Sequence, residues 1–253
     1  MASTISLNKI NGYEFQSYVK KLLSIDKFIF IKIGNETTTS SVYLPERDAV
    51  KLANIPTSDL FDFDQELDGD IKVSFYNGSK VVDAISHFKG EVTGDVVYDN
   101  IDDANLAADF VIQNDKLKIN LACADPSLSF MEMNKEEMSR AFGVENKLFE
   151  FDLLTVDADR IKSLFNLEKE EDVFSFSISE RGVNVVGSAY DAVIATKFTG
   201  DVPVGTKVTA YKKYFNLLDK ENYKVIVCEN KIVFKSMDTD TLLTVAVAVV
   251  DED

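Results

Sequence analysis

Apolar side chains recur along this chain with two spacings, one typical of β-strands and one typical of amphipathic helices. Residues 173–179 read Val-Phe-Ser-Phe-Ser-Ile-Ser, and this alternation of apolar and polar side chains predicts a half-buried β-strand. Within 210–220, apolar side chains recur at the spacing of an amphipathic helix, with lysines on the opposite face. Residues 12–24 and 78–89 have the same helical spacing. The chain is therefore expected to have an α+β fold.

The order of elements in the C-terminal part is strand, helix, four strands, helix and three strands. The first helix covers 159–166, with Asp157 as its predicted N-cap. Val156 and Ile161 have the spacing of a hydrophobic staple. The second helix is 210–220. The strands are predicted at 148–155, 173–179, 183–189, 192–198, 206–209, 223–228, 231–235 and 242–249.

The N-terminal part repeats this order without evident residue identity. Its helices are predicted at 12–24 and 78–89. Its strands are predicted at 5–8, 28–33, 37–44, 49–53, 71–76, 92–98, 106–112 and 116–123. We expect a tandem structural repeat with domains at 1–123 and 148–253, joined by an ordered linker at 124–147.

Composition agrees with two globular domains. The chain has 253 residues, 45% of them hydrophobic, which is enough for two cores. Cys123 and Cys228 lie in apolar, strand-like segments and are expected to be reduced core thiols. No signal peptide is visible, and the longest apolar run, 242–250, is too short to cross a bilayer. We expect a cytoplasmic protein without membrane contact.

Charge is distributed unevenly. The formal net charge is −16, yet each of the four predicted helices is net positive. Lysines on helix faces can meet phosphates without fixed geometry, so the pattern favours binding of nucleic acid along one surface. Ordinary solvated helix faces are the alternative explanation. The predicted DNA-binding residues are Lys20, Lys21, Lys80, Lys89, Arg160, Lys162, Lys212, Lys213 and Lys220.

Enzymatic and metal-binding classes find little support. The one histidine, His87, lies in a predicted helix without a second histidine or a nearby cysteine. Residues 200–207 resemble a phosphate-binding loop but end in Thr-Lys and lie between strands. The acidic run from Asp64 has Phe75 where a calcium loop needs glutamate. The sequence predicts no catalytic residue, no metal site and no cofactor.

The tandem order of elements resembles that of DNA sliding clamps, the family of proliferating cell nuclear antigen and the T-even-type phage clamp. Two segments are similar to the phage branch: 118–129, with its Ala-Cys-Ala-Asp-Pro-Ser core, and 222–249, with Asn-Tyr-Lys and Lys-Ile-Val-Phe. The resemblance implies the DNA clamp fold, in which β-α-β4-α-β3 domains form a toroidal homotrimer with helices lining the hole. Strand 116–123 of one subunit would then pair with strand 192–198 of the next.

The resemblance also implies a function. It implies a polymerase processivity factor that encircles double-stranded DNA without sequence specificity, in the cytoplasm of an infected bacterium if the chain is of phage origin. Its partners would be a replicative polymerase and a clamp loader, with binding of transcription factors left open. The partner-peptide pocket is expected at Phe130, Met131, Met133, Val249 and Val250. The rival hypothesis is an acidic, non-enzymatic viral structural or interaction protein with two α+β domains.

Overall fold

The computed structural model describes residues 2–125 and 133–248. The chain divides into two compact units, of which the first comprises Met1–Pro45 and Lys51–Met133. The second comprises Glu46–Val50 and Asn134–Asp253. The division after Met133 falls inside the predicted linker. The short segment Glu46–Val50 belongs to the second unit, whereas the sequence analysis placed it in the first domain. It includes Ala49 and Val50, the first two residues of a strand that otherwise belongs to the first unit.

The first unit is built on one large sheet. Its strands are Ser3–Leu7 (β1), Lys9–Ile10 (β2), Ile29–Ile33 (β3), Thr37–Tyr43 (β4), Ala49–Pro56 (β5), Phe61–Asp62 (β6), Ile71–Phe75 (β7), Thr93–Ile101 (β8), Ala104–Gln113 (β9) and Lys118–Ala122 (β10). The sheet order is β1-β8-β9-β7-β3-β4-β5, and β10 also pairs with β9. Strands β2 and β6 form a separate ribbon. In this sheet β7 and β9 are parallel, and β10 is antiparallel to β9.

Three helices belong to the first unit: Gly12–Leu23 (α1), Thr57–Leu60 (α2) and Gly78–Ser86 (α3). The Asn11 side chain caps α1 by accepting from the Glu14 amide at 3.4 Å. Helix α1 packs against α3, where Gln16 Nε2 donates to the Val82 carbonyl at 3.1 Å. The buried face of α1 consists of the residues that its period predicts: Phe15, Tyr18, Val19 and Leu22.

The second unit contains two sheets and repeats the order of the first. Its strands are Lys147–Leu153 (β11), Val173–Ser179 (β12), Gly182–Val186 (β13), Asp191–Ala195 (β14), Lys207–Tyr211 (β15), Tyr223–Cys228 (β16), Lys231–Ser236 (β17) and Asp240–Ala246 (β18). One sheet has the order β18-β17-β16-β11 and the other β14-β13-β12-β15. Its helical elements are Lys135–Phe142 (α4), Thr155–Phe165 (α5) and a 3₁₀ helix, Lys212–Leu217.

Apart from the short elements β2, α2 and β6 and the helix α4, which were not predicted, the order of strands and helices is confirmed in both units, but the helix predicted at 210–220 is wrong in type and length. Strand β15 runs through Tyr211, and only the six residues of the 3₁₀ helix follow it. Its Phe215 ring packs edge-on against Phe174 at 5.2 Å and Phe234 at 6.0 Å. A short 3₁₀ turn is enough to bury these aromatic side chains, so a full helix is not needed.

The predicted N-cap and staple of α5 are also wrong. The helix begins at Thr155, two residues before Asp157, and Val156 is 69% exposed instead of packing on Ile161. The side chain of Asn222 accepts hydrogen bonds from the Thr155 amide at 3.1 Å and the Thr155 hydroxyl at 3.2 Å. A residue distant in sequence therefore satisfies the start of this helix, which local spacing could not reveal.

Two smaller predictions have different outcomes. Helix α3 ends at Ser86, so Lys89 lies beyond it, and His87 is the exposed C-cap. Both cysteines are free thiols; Cys228 is buried as predicted, whereas Cys123, the residue after β10, is half-buried and not part of the core. Burial, with a smaller effect of the Asp109 charge, raises the pKa of the Cys123 thiol to about 12, so this thiol stays protonated near neutral pH.

Candidate nucleic-acid interface

Helix α1 presents lysine to solvent. Lys20 is exposed, and its Nζ lies 3.0 Å from Gln16 Oε1, a neutral partner that leaves its charge uncompensated. Lys21 follows it and is half-buried. Beneath this end of the helix, the buried Lys51 donates to the Lys21 carbonyl at 3.3 Å and to Ser24 Oγ at 2.8 Å. The Lys51 ammonium therefore lies at the C-terminal end of α1, where the helix dipole is negative. The sequence did not indicate this contact, because Lys51 lies in a largely apolar strand.

The predicted basic residues of α3 and α5 are mostly exposed. Lys80 lies in the first turn of α3 and is exposed, while Lys89 lies past the end of that helix. On α5, Arg160 is exposed, and its Nη1 lies 3.4 Å from the Val193 carbonyl of β14. Lys162 is half-buried. With the observed helix bounds, lysines and arginines are balanced by acidic residues in both α3 and α5, so only α1 and the 3₁₀ helix remain net positive.

Lys212 lies inside the second unit, not on its surface. Its side chain is 12% exposed, and its Nζ lies 2.7 Å from the Glu168 carbonyl and 3.3 Å from Glu168 Oε2. The ammonium also stands 5.5 Å above the Phe165 ring and 5.9 Å from the Tyr190 ring. Because the charge is shared with a buried carboxylate and two aromatic faces, Lys212 does not offer a phosphate contact.

Lys213 is exposed but paired. Its Nζ lies 2.8 Å from Asp48 Oδ2, and the Tyr214 hydroxyl donates to the same oxygen at 2.7 Å. Burial of Asp48 raises the pKa of its carboxyl, but the hydrogen bonds from Lys213 and Tyr214 outweigh this effect and hold the pKa below its ordinary value. The hydrogen bond to Asp48 in turn raises the pKa of Lys213. Lys220, beyond the 3₁₀ helix, is exposed.

Sequence reasoning missed the carboxylates that take up two of the predicted lysines. Glu168 stands in the charged segment 168–172, which is typical of a solvated loop, yet it is buried. Asp48 lies in a turn 165 residues before Lys213. No local signal marks either residue, because both acquire their partners from distant parts of the chain.

Most of the predicted partner-peptide pocket lies outside the described residues. This applies to Phe130, Met131, Val249 and Val250, while Met133 is half-buried at the end of the first unit. Within the described residues, the second unit has a cavity of about 570 Å³. Its walls include Val247, Ala248 and Val208, with Glu171 and Lys207 among the polar residues. It could accept a short segment with apolar and charged side chains.

Each unit has a strand with an unpaired edge. Within the described residues, β10 pairs only with β9, and β14 is the end strand of its sheet beside β13. These are the elements that the resemblance implies for pairing between subunits, although β14 ends at Ala195 and not at residue 198. Open edges of this kind invite pairing with another chain.

The described residues lack two further features, a metal-binding cluster and a membrane-spanning helix. In residues 2–125 and 133–248, no cluster of three or more His, Cys, Asp or Glu side chains could hold a metal ion. Within the same residues, no helix is both long and apolar enough to cross a membrane.

By sequence, neither a protein-family model nor a curated protein matches the chain. Solved structures do match. Entamoeba histolytica proliferating cellular nuclear antigen has a TM-score of 0.67 at 13% identity, over 97% of this chain and 98% of that one. A. fulgidus PCNA, solved with the C-terminal region of FEN-1 bound, gives 0.66 at 11% identity over 100% of both chains.

A bacterial structure is similar as well. The Helicobacter pylori beta clamp, bound to a DNA ligase peptide, has a TM-score of 0.63 at 14% identity. The match covers 99% of this chain and 68% of that one. At these identities the likeness concerns the fold, and it extends over whole PCNA protomers. Together with the repeated order of elements, it shows that this protein has the α+β fold of the DNA sliding clamps.

Proposed function

We propose that this protein is a DNA sliding clamp: a homotrimer that encircles duplex DNA and tethers a replicative polymerase to it without catalysing a reaction. The observation that carries the proposal is the structural match to complete PCNA protomers over 100% of both chains. A clamp acts through topology, so the absence of a nucleophile-and-base pair from the sequence pattern fits this role. A clamp loader would open the ring. Because 118–129 and 222–249 resemble the phage branch, we extend the proposal to a phage clamp. Such a clamp would act in the cytoplasm of the host.

The free edges support assembly into a ring. Strand β10 of one subunit would pair with β14 of the next, so that both open edges become part of continuous sheets. A trimer of the 28.3 kDa chain would have a mass of about 85 kDa. Light scattering on the purified protein measures this mass directly. A monomer at micromolar concentration would count against the ring.

The proposed DNA contacts are fewer than the sequence predicts. Lys20, Lys80, Lys89, Arg160 and Lys220 are exposed and stay proposed contacts, as do the half-buried Lys21 and Lys162. Lys212 is excluded by its burial, and Lys213 must give up Asp48 before it can meet a phosphate. Weak, mobile contacts of this kind position DNA without reading its sequence and permit sliding.

A retention experiment tests the topological mechanism without a loader. Linear duplex attached to beads at one end is incubated with the protein, and the free end is then blocked with a bulky protein. We expect part of the protein to resist a high-salt wash and to be released when a restriction enzyme cuts the duplex. A basic protein that binds the surface of DNA would leave in the wash, since phosphate contacts weaken steeply with salt.

We also propose that partner tails bind at the residues that the resemblance implies: Phe130, Met131, Met133, Val249 and Val250. Support comes from similar structures, in which a FEN-1 C-terminal region binds PCNA and a ligase peptide binds the beta clamp. The test is binding of the C-terminal peptide of a cognate polymerase to Met131→Glu, with Met237→Glu, an exposed methionine elsewhere, as the matched control. Unchanged binding by Met131→Glu would contradict this assignment.

A further inference from the structure

The turn between β13 and β14 is held by a carboxylate from another element. Glu168 follows the end of α5, and its Oε1 accepts hydrogen bonds from the Ser188 hydroxyl and, at 2.6 Å, from the Ala189 amide. Its Oε2 faces Lys212 Nζ at 3.3 Å. The carboxylate is thereby bonded to the turn on one side and to the 3₁₀ helix on the other.

The turn is fitted closely to this carboxylate. The Gly187 amide donates to the Tyr190 carbonyl at 2.9 Å, which closes the turn. A Cβ on Gly187 would meet Glu168 Oε2 first and would stand 2.6 Å from the Tyr190 ring, so the glycine leaves room for the carboxylate and the ring. Tyr190 is buried, and its ring centroid lies 6.4 Å from that of Phe165 on α5.

The groups around Glu168 favour the ionised form of its carboxyl. The hydrogen bond from the Ser188 hydroxyl has the largest effect and lowers the pKa of the Glu168 carboxyl. Burial raises this pKa, but the Ala189 amide and Lys212 lower it further, so it stays below its ordinary value. An ionised carboxylate accepts all of these hydrogen bonds together, which a protonated one cannot do.

Strand β14 depends on this turn more than an interior strand would. In the described part of the chain it has one sheet neighbour, β13, and a register shift occurs between Val183 and Asn184 in that pairing. Near the turn, the Asn184 amide group donates to Asp191 Oδ1. The strand has only five residues, so the ordered turn at its start fixes a large part of its position.

We propose that Glu168 is a positioning residue for the subunit interface: through the turn 187–190 it holds the open edge of β14 in place to receive a strand of the neighbouring subunit. This inference rests on the proposed ring, in which β14 meets β10. An edge that is ordered before assembly does not lose its conformational freedom on association, so the complex forms more tightly.

The experiment compares Glu168→Ala with Glu170→Ala, a neighbouring exposed glutamate in the same segment. Sedimentation equilibrium over a dilution series measures the monomer–trimer equilibrium of each variant. We expect Glu168→Ala to weaken association by about tenfold or more per interface, since ordering even one or two residues on association costs about that factor. Glu170→Ala should associate as the parent does.

Ser188→Ala is the milder variant, because it removes one donor and keeps the ion pair with Lys212. It should weaken association by about threefold, the effect of losing one ordinary hydrogen bond. Hydrogen exchange distinguishes a local loss of order at the turn from destabilisation of the whole second unit. Amides of 187–195 should exchange faster in both variants, while those of β16 and β17 keep their protection.

The outcomes separate this inference from the proposed function. A trimeric parent whose Glu168→Ala and Ser188→Ala variants associate as Glu170→Ala does would overturn the positioning role and leave the clamp intact. A monomeric parent would overturn both. If Glu168→Ala does not fold, Ser188→Ala decides alone: unchanged association and unchanged exchange of 187–195 reject the role.

Discussion

Two basic segments that look alike in sequence have opposite surroundings in the structure. Helix α1 of the first unit carries Lys20 on its exposed face, beside a neutral glutamine. The 3₁₀ helix of the second unit carries Lys212 and Lys213, and both are paired with carboxylates. The same periodic pattern thus produces a solvated charge in one unit and, in the other, one largely buried ion pair and one ion pair at the surface.

A count of lysines on predicted helices therefore overstates the positive charge that is open to a phosphate. Lys212 stabilises the fold, because its removal would leave the buried Glu168 without its ion-pair partner and with only the Ser188 hydroxyl and the Ala189 amide as donors. Among the described residues, Lys20 has no carboxylate partner of this kind, so its ammonium is open to solvent. Four predictions test this contrast.

Phe215→Ala should have the largest effect. The Phe215 side chain is fully buried among Phe174, Phe165 and Phe234, so its loss leaves a cavity beneath the 3₁₀ helix. We expect a loss of about 3–5 kcal/mol in the free energy of unfolding, measured with urea. The neighbouring exposed Asn216→Ala should stay within about 0.5 kcal/mol of the parent. A loss below about 1 kcal/mol for Phe215→Ala would mean that the 3₁₀ helix is not part of the core.

Lys212→Met and Lys20→Met compare the two lysines directly. Methionine keeps the apolar stem but removes the charge, so Lys212→Met strands the Glu168 carboxylate in a buried site. We expect Lys212→Met to have a clearly lower urea midpoint than the parent. The free energy of unfolding of Lys20→Met should stay within about 0.5 kcal/mol of that of the parent. Equal midpoints for the two variants would show that Lys212 is as solvated as Lys20.

Acid should loosen the second unit through Glu168. Its folded pKa lies below the ordinary 4.5, so its stabilisation is complete above that pH and is lost as the pH falls through the folded value. Urea midpoints measured from pH 7 downwards should fall more steeply below about 4.5 for the parent than for Glu168→Gln. Glu170→Gln should follow the parent. A Glu168→Gln curve parallel to that of the parent would contradict the coupling.

Charge changes at the proposed DNA contacts should have the smallest effect per residue. Lys20→Ala should lower the dependence of DNA affinity on salt by up to about 0.9 in the slope of log K against log salt, the value for one phosphate contact. Lys235→Ala, at an exposed strand position, serves as the control. A slope that falls equally in both variants would mean that α1 does not face DNA.

Much of the fold could be predicted because it is encoded in short-range patterns. Strand β12 occupies 173–179 as its alternation indicates, and β16 occupies 223–228. The start of α1 follows from the capping side chain of Asn11 and the apolar face behind it. Where the pattern failed, at 210–220 and at the start of α5, the deciding contacts came from Phe174, Phe234 and Asn222.

The candidate site could be predicted only in outline. The sequence identified which residues are basic and which predicted helices carry them, and the exposed positions of Lys20, Lys80 and Arg160 agree with that. It could not show that Lys212 and Lys213 are paired, because Glu168 and Asp48 lie 44 and 165 residues away from their partners. Ion pairing depends on distances of a few ångströms, which the order of residues does not report.

The repeated order of strands and helices and the excess of acidic charge follow from periodicity and composition, which can be recognised in the chain alone. The exposure of each lysine and the carboxylate that holds the turn before β14 depend on the tertiary structure, because burial and hydrogen bonding are set by neighbours in space. For Lys212 and Glu168 those neighbours come from four separate elements: α5, the β13–β14 turn, the 3₁₀ helix and the loop after α5.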